Sequence, residues 1–232
     1  MMLGTISKRV ITSTLEEIRG VLPLVRDGLV EEVSDPDGKD TLRNEAGLPS
    51  SRWKILYSLP LPPGAWRALT DLSQHVKILL MIDHLDQIQC LEANGPEGQI
   101  WDVFVKVDMG ISGARRAGLL LETTDMRSLV DTVRTSCKVK LYGFYTHAGH
   151  GYRCDDMADA ARILEDEIQA VASAANLVPE QERLENPIVL SVGATPTAHA
   201  ASSAAFPSLP VGCSLELHAG RISQDGSEKS IN

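Results

Sequence analysis

The residues of this 232-residue sequence best suited to chemistry fall in four short blocks, each at the end of an apolar run. Lys106 and Asp108 close Trp101 to Asp108 and lead into a loop with Gly110, Gly113, Arg115, Arg116 and Gly118. Tyr145, His147, Gly149, His150 and Tyr152 sit at the end of Val139 to Thr146 or just past it. Gly193, Ala194 and Thr195 follow Pro187 to Val192, while Glu216, His218 and Gly220 close Ser214 to His218. Cations, imidazoles and glycine loops in these positions suit a small anionic cofactor or substrate. The order strand, Gly-Ala-Thr-Pro-Thr, then an alanine-rich helix over Ala198 to Ala205 would aim backbone N–H groups and a helix dipole at one spot. A plain strand-to-helix turn uses the same residues. His147, His150 and Cys154 offer three metal-ligand types, but no fourth ligand is evident and the two histidines need not face one way, so no metal site is expected.

These blocks need elements to hold them, and strand-like and helix-like patterns alternate along nearly the whole chain. Strands are expected over Arg9 to Ser13, Ile55 to Leu59, Val76 to Ile82, Trp101 to Asp108, Val139 to Thr146, Pro187 to Val192 and Ser214 to His218. Helices are expected after Thr14, up to His75, and over Asp83 to Ala93, Asp125 to Ser136 and Asp155 to Asn176. Thr14 reads as an N-cap, with Glu17 completing a capping box. The strands are short and apolar on both faces, as parallel strands covered by helices are. In a parallel barrel the chemistry sits at the C-terminal ends of the strands, where all four polar blocks lie. No GxGxxG follows the first strand, which argues against an open dinucleotide-binding sheet. Seven strand–helix units at most can be counted, so the expected fold class is α/β, an incomplete (β/α)8 TIM-type barrel. Residues 1–220 form this one domain, with a polar insertion at 34–54 and a disordered tail at 221–232.

A net charge of -9 without a basic, aromatic-interleaved stripe argues against nucleic acid. No apolar run reaches membrane-spanning length, and the N-terminal residues lack a signal-peptide core. Four scattered cysteines without a CxxC pair read as free thiols of a reducing compartment, which points to the cytoplasm. Aromatic residues make up only 4%, so Leu, Ile, Val and Ala must form most of the core.

KVDMG at 106–110 with RRAGL at 115–119, LYGFYTHAGHGY at 141–152, LSVGATPTAHA at 190–200 and LELHAG at 215–220 together resemble the eukaryotic D-serine dehydratase family. STLEEIRGVLPLV at 13–25 and ILYSLPLPP at 55–63 fit as well, so the match covers most of residues 9–220. That family belongs to the alanine racemase-like, type III fold of pyridoxal-phosphate (PLP) enzymes, an architecture that D-threonine aldolases share. The resemblance implies a PLP barrel that converts D-serine to pyruvate and ammonia, completed by a β-domain and a zinc ion, with a homodimer in the full-length form. It implies that Gly193, Ala194 and Thr195, with backbone near Gly220, bind the PLP phosphate. Arg116 would sit beside the ring oxygen with Lys106 behind it, and His147, Tyr145 and Tyr152 would surround the ring.

Two departures qualify that expectation. The family's Schiff-base lysine lies in a Lys-Thr-His-Lys-type segment, and no such segment occurs in these residues. Lys8 lies just before the strand that begins at Arg9, at the wrong end for the role. The zinc ligands belong to a C-terminal domain whose sequence does not follow Gly220 here. The chain by itself is therefore expected to be inactive. Removing Val33 to Lys54 leaves Glu31-Glu32-Ile55-Leu56, an uninterrupted family strand, so that block reads either as translated intron, with Arg221 to Asn232 as read-through, or as a surface-loop insertion. The competing functions are a non-catalytic PLP-binding or PLP-homeostasis barrel, a D-threonine aldolase-like enzyme, and a fragment with no ligand.

Overall fold

The computed structural model describes residues 9–26, 53–62, 64–110 and 117–219. In chain order the elements are β1 (Arg9–Thr12), α1 (Leu15–Arg26), β2 (Lys54–Pro60), α2 (Ala65–Ser73), β3 (Lys77–Ile82), α3 (Leu85–Asn94), β4 (Trp101–Asp108) and β5 (Leu119–Leu120). Then follow α4 (Thr124–Thr135), β6 (Val139–Tyr145), α5 (Met157–Ala175), α6 (Glu180–Glu185), β7 (Ile188–Val192), α7 (Thr195–His199) and β8 (Cys213–Leu217). All seven expected strands are present within a residue or two. The chain divides into two compact units, one built from residues 1–108 and 112–143, the other from residues 109–111 and 144–232.

In the first unit the strands run in the order β1-β2-β3-β4-β6, with β5 paired to β4 off that path. β1 to β4 are parallel, in a register that sets Ile11 beside Leu56, Leu56 beside Leu79 and Leu79 beside Asp102. Five of the six residues of β3 are buried, as in a strand covered on both faces. Its one exposed residue, Lys77, pairs with Asp102 of β4. The helices start where their caps dictate. Thr14 Oγ1 accepts the Glu17 N–H at 3.1 Å, and Glu17 accepts the Thr14 N–H at 3.1 Å, which is the capping box read from the sequence. Thr123 Oγ1 caps α4 by accepting the Met126 N–H, and Met126, Leu129, Val130 and Val133 form its buried stripe. β2 begins at Lys54, the last residue of the expected insertion. Positions 34–52 lie outside the described residues, as does 221–232.

In the second unit the end of β6, β7 and β8 lie side by side, β7 and β8 parallel from Ile188/Cys213 to Val192/Leu217. α5 packs along β7 through a face of Ala160, Leu164, Ile168, Val171 and Ala175. Buried Arg183 closes this layer. Its guanidinium donates to the carbonyls of Ala175 and Val178 at the end of α5 and to Val211 just before β8. The carbonyls around the end of α5 thus gain a charged donor, Ala175 O in addition to the Val178 N–H it already accepts. None of the four cysteines forms a disulfide, and among the described residues no helix is long and apolar enough to cross a membrane.

Candidate functional site

The second unit gathers the polar residues that follow β6, β7 and β8. Because these strands are neighbours in the sheet, their C-terminal ends bring residues distant in sequence together. Thr146 N–H donates to Ser191 O at 3.0 Å, and His218 N–H donates to Val192 O at 2.9 Å. His147 and His218 therefore both flank Gly193. The His147 Nδ1 lies 2.8 Å from the Gly193 carbonyl, which can only accept, so Nδ1 carries the proton.

Aromatic rings line this end of the unit. Tyr145 and His218 stack with centroids 4.6 Å apart and planes 5° apart. His147 lies 5.9 Å from His218 and 6.2 Å from Tyr152. Burial, then the charges of Glu167, Tyr152 and Glu216 in that order, pushes the Tyr145 hydroxyl above the usual tyrosine range and keeps it protonated. Tyr152 is 53% exposed on the 3-10 turn Gly149–Arg153, so it rims the ring cluster rather than filling it.

Beneath the rings, buried Ser191 donates to Glu216 at 3.3 Å, which leaves its oxygen to accept from His218 Nδ1 at 3.1 Å. Serine, histidine and glutamate meet here, with the serine hydroxyl donating to the acid and accepting from the histidine. This order fixes the His218 ring and does not make a nucleophile, because an activated serine needs the histidine as base with the acid behind it.

Gly193 has φ +129°, and a Cβ on it would collide with the backbone carbonyl of His218. Only glycine allows β7 to end this close to β8. The helix after it begins at Thr195, not at Ala198 as the alanine pattern suggested, and becomes a 3-10 turn at Ala200–Ser202. Pro196 suits the first helical turn, where its missing N–H costs nothing. Buried Thr197 accepts the Ala194 N–H at 2.8 Å, which secures the early start. The Gly193 N–H goes to Glu167 at 3.3 Å. Two of the three backbone donors expected to face an anion are thus used inside the fold.

Glu167 is the member of this cluster that the sequence reading missed. It lies on the buried face of α5 with no exposed surface. One oxygen accepts the Ala148 N–H at 2.6 Å and the Gly193 N–H, and the other accepts the Thr197 hydroxyl at 3.1 Å. Burial raises the Glu167 pKa to about 7, against the opposing pull of those three hydrogen bonds. The signal was available: Leu164, Glu167, Ile168 and Val171 follow helical spacing, which puts an acid in an apolar stripe.

Lys106 belongs to the first unit, at the end of β4 beside Gly118. Gly118 has φ +120°, and a Cβ there would crowd the Asp108 N–H and the Lys106 side chain. The Gly118 N–H donates to Asp83 Oδ2 at 3.0 Å, while Gln87 holds the other Asp83 oxygen. The loop leaving β4 is therefore tied back to the end of β3. Arg116 and Gly220 lie outside the described residues. A second cluster of this unit occupies the opposite ends of the strands: Arg9 and Lys54, the first residues of β1 and β2, each donate to the Tyr142 hydroxyl at 2.9 Å. Arg9 also lies over the rings of Phe104 and Tyr142. In a parallel barrel this end carries stability and not chemistry. Among the described residues no three His, Cys, Asp or Glu side chains gather as a metal site, and Cys154 packs instead against Ala160, Ala161 and Ala200.

Comparison with known proteins gives the family of the chain. The family described as alanine racemase, N-terminal domain, matches residues 9–215. The D-serine dehydratase of Schizosaccharomyces pombe is 31% identical over 232 residues, covering 97% of this chain and 50% of that protein. The D-serine dehydratase of Saccharomyces cerevisiae is 34% identical over 182 residues, covering 72% of this chain and 42% of that one. The solved structure of D-threo-3-hydroxyaspartate dehydratase from Delftia sp. HT23 matches with a TM-score of 0.59 at 24% identity, over 91% of this chain and 46% of that one. The fold class expected from the sequence, an incomplete TIM-type α/β barrel, is that of this domain. The chain spans about half the length of the curated relatives it matches.

Proposed function

The chain belongs to the alanine racemase N-terminal domain family, and from that premise we propose that it is the cofactor-holding part of a PLP-dependent dehydratase acting on a small β-hydroxy D-amino acid, D-serine in the first instance. The names of its relatives share that chemistry, the loss of water from a β-hydroxy amino acid. The observation that carries the proposal is the anchoring of the His147 ring on the Gly193 carbonyl, which joins a flat ring platform to a loop entering a helix.

The residues present fit the group. PLP offers a flat pyridine and a phosphate. When bound, it supplies an electron sink for charge developing at the substrate α-carbon. The near-parallel Tyr145 and His218 rings, with His147 beside them, give a flat ring a matching surface. Thr195 opens α7 directly after the Gly193-Ala194 turn. We assign the phosphate to Thr195 with backbone near Gly220, and give Gly193 and Ala194 the task of shaping the loop. The family resemblance alone assigns Lys106 and Arg116 to the cofactor. His147 keeps its Nδ1 proton on the Gly193 carbonyl, which fixes the orientation of the ring. The buried Tyr145 hydroxyl stays protonated and serves as a donor. Zinc enters no step drawn from these residues.

The chain by itself is proposed to bind PLP reversibly in the cytoplasm and not to turn over D-serine, because it contains no Lys-Thr-His-Lys-type segment. Titration of the 232-residue chain with PLP should change the cofactor's absorbance, borohydride should fix no pyridoxyl group to the protein, and D-serine should release no pyruvate. No spectral change at millimolar PLP would sink the cofactor reading. Pyruvate release would overturn the inactivity of the chain and leave the cofactor reading standing.

A further inference from the structure

We infer that Glu167 is a positioning residue of this site: one buried carboxylate fastens the loop after β6 to the loop after β7, and Thr197 lets it do so with or without a proton. What the fastened loops hold rests on the cofactor reading above, but the fastening is read from the fold alone.

The hydrogen bonds form a closed circuit. His147 donates to the Gly193 carbonyl, and the Gly193 N–H donates to Glu167. The same Glu167 oxygen accepts from Ala148, which is covalently joined to His147. The imidazole therefore cannot turn without breaking its bond to Gly193, and Glu167 holds the backbone on both sides of that bond. An apolar side chain would fill this face of α5 at lower desolvation cost, but would leave the buried Ala148 and Gly193 N–H groups without an acceptor. All three donors to Glu167 are neutral, so the group is not one half of an ion pair.

Thr197 gives the circuit a second state. Its hydroxyl has one proton and two acceptors within reach, Glu167 Oε2 at 3.1 Å and Ala194 O at 3.2 Å. With the carboxylate ionised, the hydroxyl donates to Glu167. With Oε2 protonated, the carboxyl donates to the Thr197 oxygen, and the hydroxyl proton moves to Ala194 O. The remaining Glu167 oxygen keeps both amide bonds in either state. The titratable groups around Glu167 are Tyr145 on β6, His147 after it, and Glu216 on β8 and His218 just past it, which reach the same Tyr145. Burial brings the Glu167 titration to about 7, within the range where both states can be observed.

The test follows the backbone amide resonances of Ala148 and Gly193 in the 232-residue chain, with reversible PLP affinity measured alongside. In the wild type both amides should shift together with one midpoint near 7. Glu167→Gln keeps an amide oxygen for the two N–H groups. It should abolish the shared midpoint, leave both amides hydrogen-bonded and change PLP affinity less than about threefold. Glu167→Ala should free both amides and weaken PLP binding by at least about tenfold. Independent titration of the two amides, or a shared midpoint that survives in Glu167→Gln, overturns the inference even if Glu167→Ala does not fold. Coupled amides in a wild-type chain that binds no PLP support the fastening and overturn the cofactor reading.

Discussion

Glu167 also carries a cost that depends on pH. Its pKa rises from 4.5 to about 7 on folding, with burial the main cause, so the folded chain holds a proton that the unfolded chain releases. Its favourable contribution is complete below about pH 4.5 and is lost as pH rises through about 7. The shift amounts to about 3 kcal/mol at full ionisation. Glu167→Gln removes the titration and retains the acceptor. Relative to wild type, the variant should therefore gain stability between pH 5 and 8, approaching ~3 kcal/mol at the upper end. Urea denaturation at the two pH values measures it, and a difference that does not change with pH would refute the account.

At the scale of the elements, the strands were legible because each is a short apolar run closed by polar residues or glycine. α1 was legible because Thr14 and Glu17 stand three residues apart. Other features were hidden for identifiable reasons. α6, Glu-Gln-Glu-Arg-Leu-Glu, has no apolar period and is held by Arg183, whose partners lie up to 28 residues away. α7 began earlier than the alanines suggested because Pro196 and Thr197 favour a helical start that an apolar-period reading overlooks. Of the site, the residues after β6 and β7 could be read from type and position. Glu167 stands out as an acid in the apolar stripe of α5, but its role does not, because that depends on which backbone N–H groups α5 covers. Arg183 supports a prediction at this scale. Arg183→Met preserves the apolar stem but removes the donor to Ala175, Val178 and Val211. The loss should be about 3 kcal/mol, given ~1.5–3 for a bond to a charged group and partial compensation by water. A thermal melt should show a fall of roughly 6–12 °C for a chain of this size, and a fall under about 2 °C would mean the carbonyls are satisfied without it.

For the whole molecule, family membership fixes the architecture, and each compact unit contributes a different kind of residue. The second holds the ring cluster and the glycine loop. The first holds Lys106 and, at the starting ends of its strands, the Tyr142 hydroxyl that takes donors from both Arg9 and Lys54. That hydroxyl closes sequence separations of 133 and 88 residues. A ribosome adding ~5–20 residues per second needs roughly 7–27 seconds between Arg9 and Tyr142. β1, and β2 once it is made, wait through that interval without the phenol that joins their cationic ends, so the clasp is among the last contacts of the first unit to form during synthesis. A contact made after the rate-limiting step governs how fast a protein comes apart and not how fast it assembles. Tyr142→Phe should therefore speed unfolding about tenfold or more and leave the refolding rate nearly unchanged in stopped-flow denaturant jumps. A slowed refolding limb would instead place this clasp in the folding nucleus, before β6 has finished pairing.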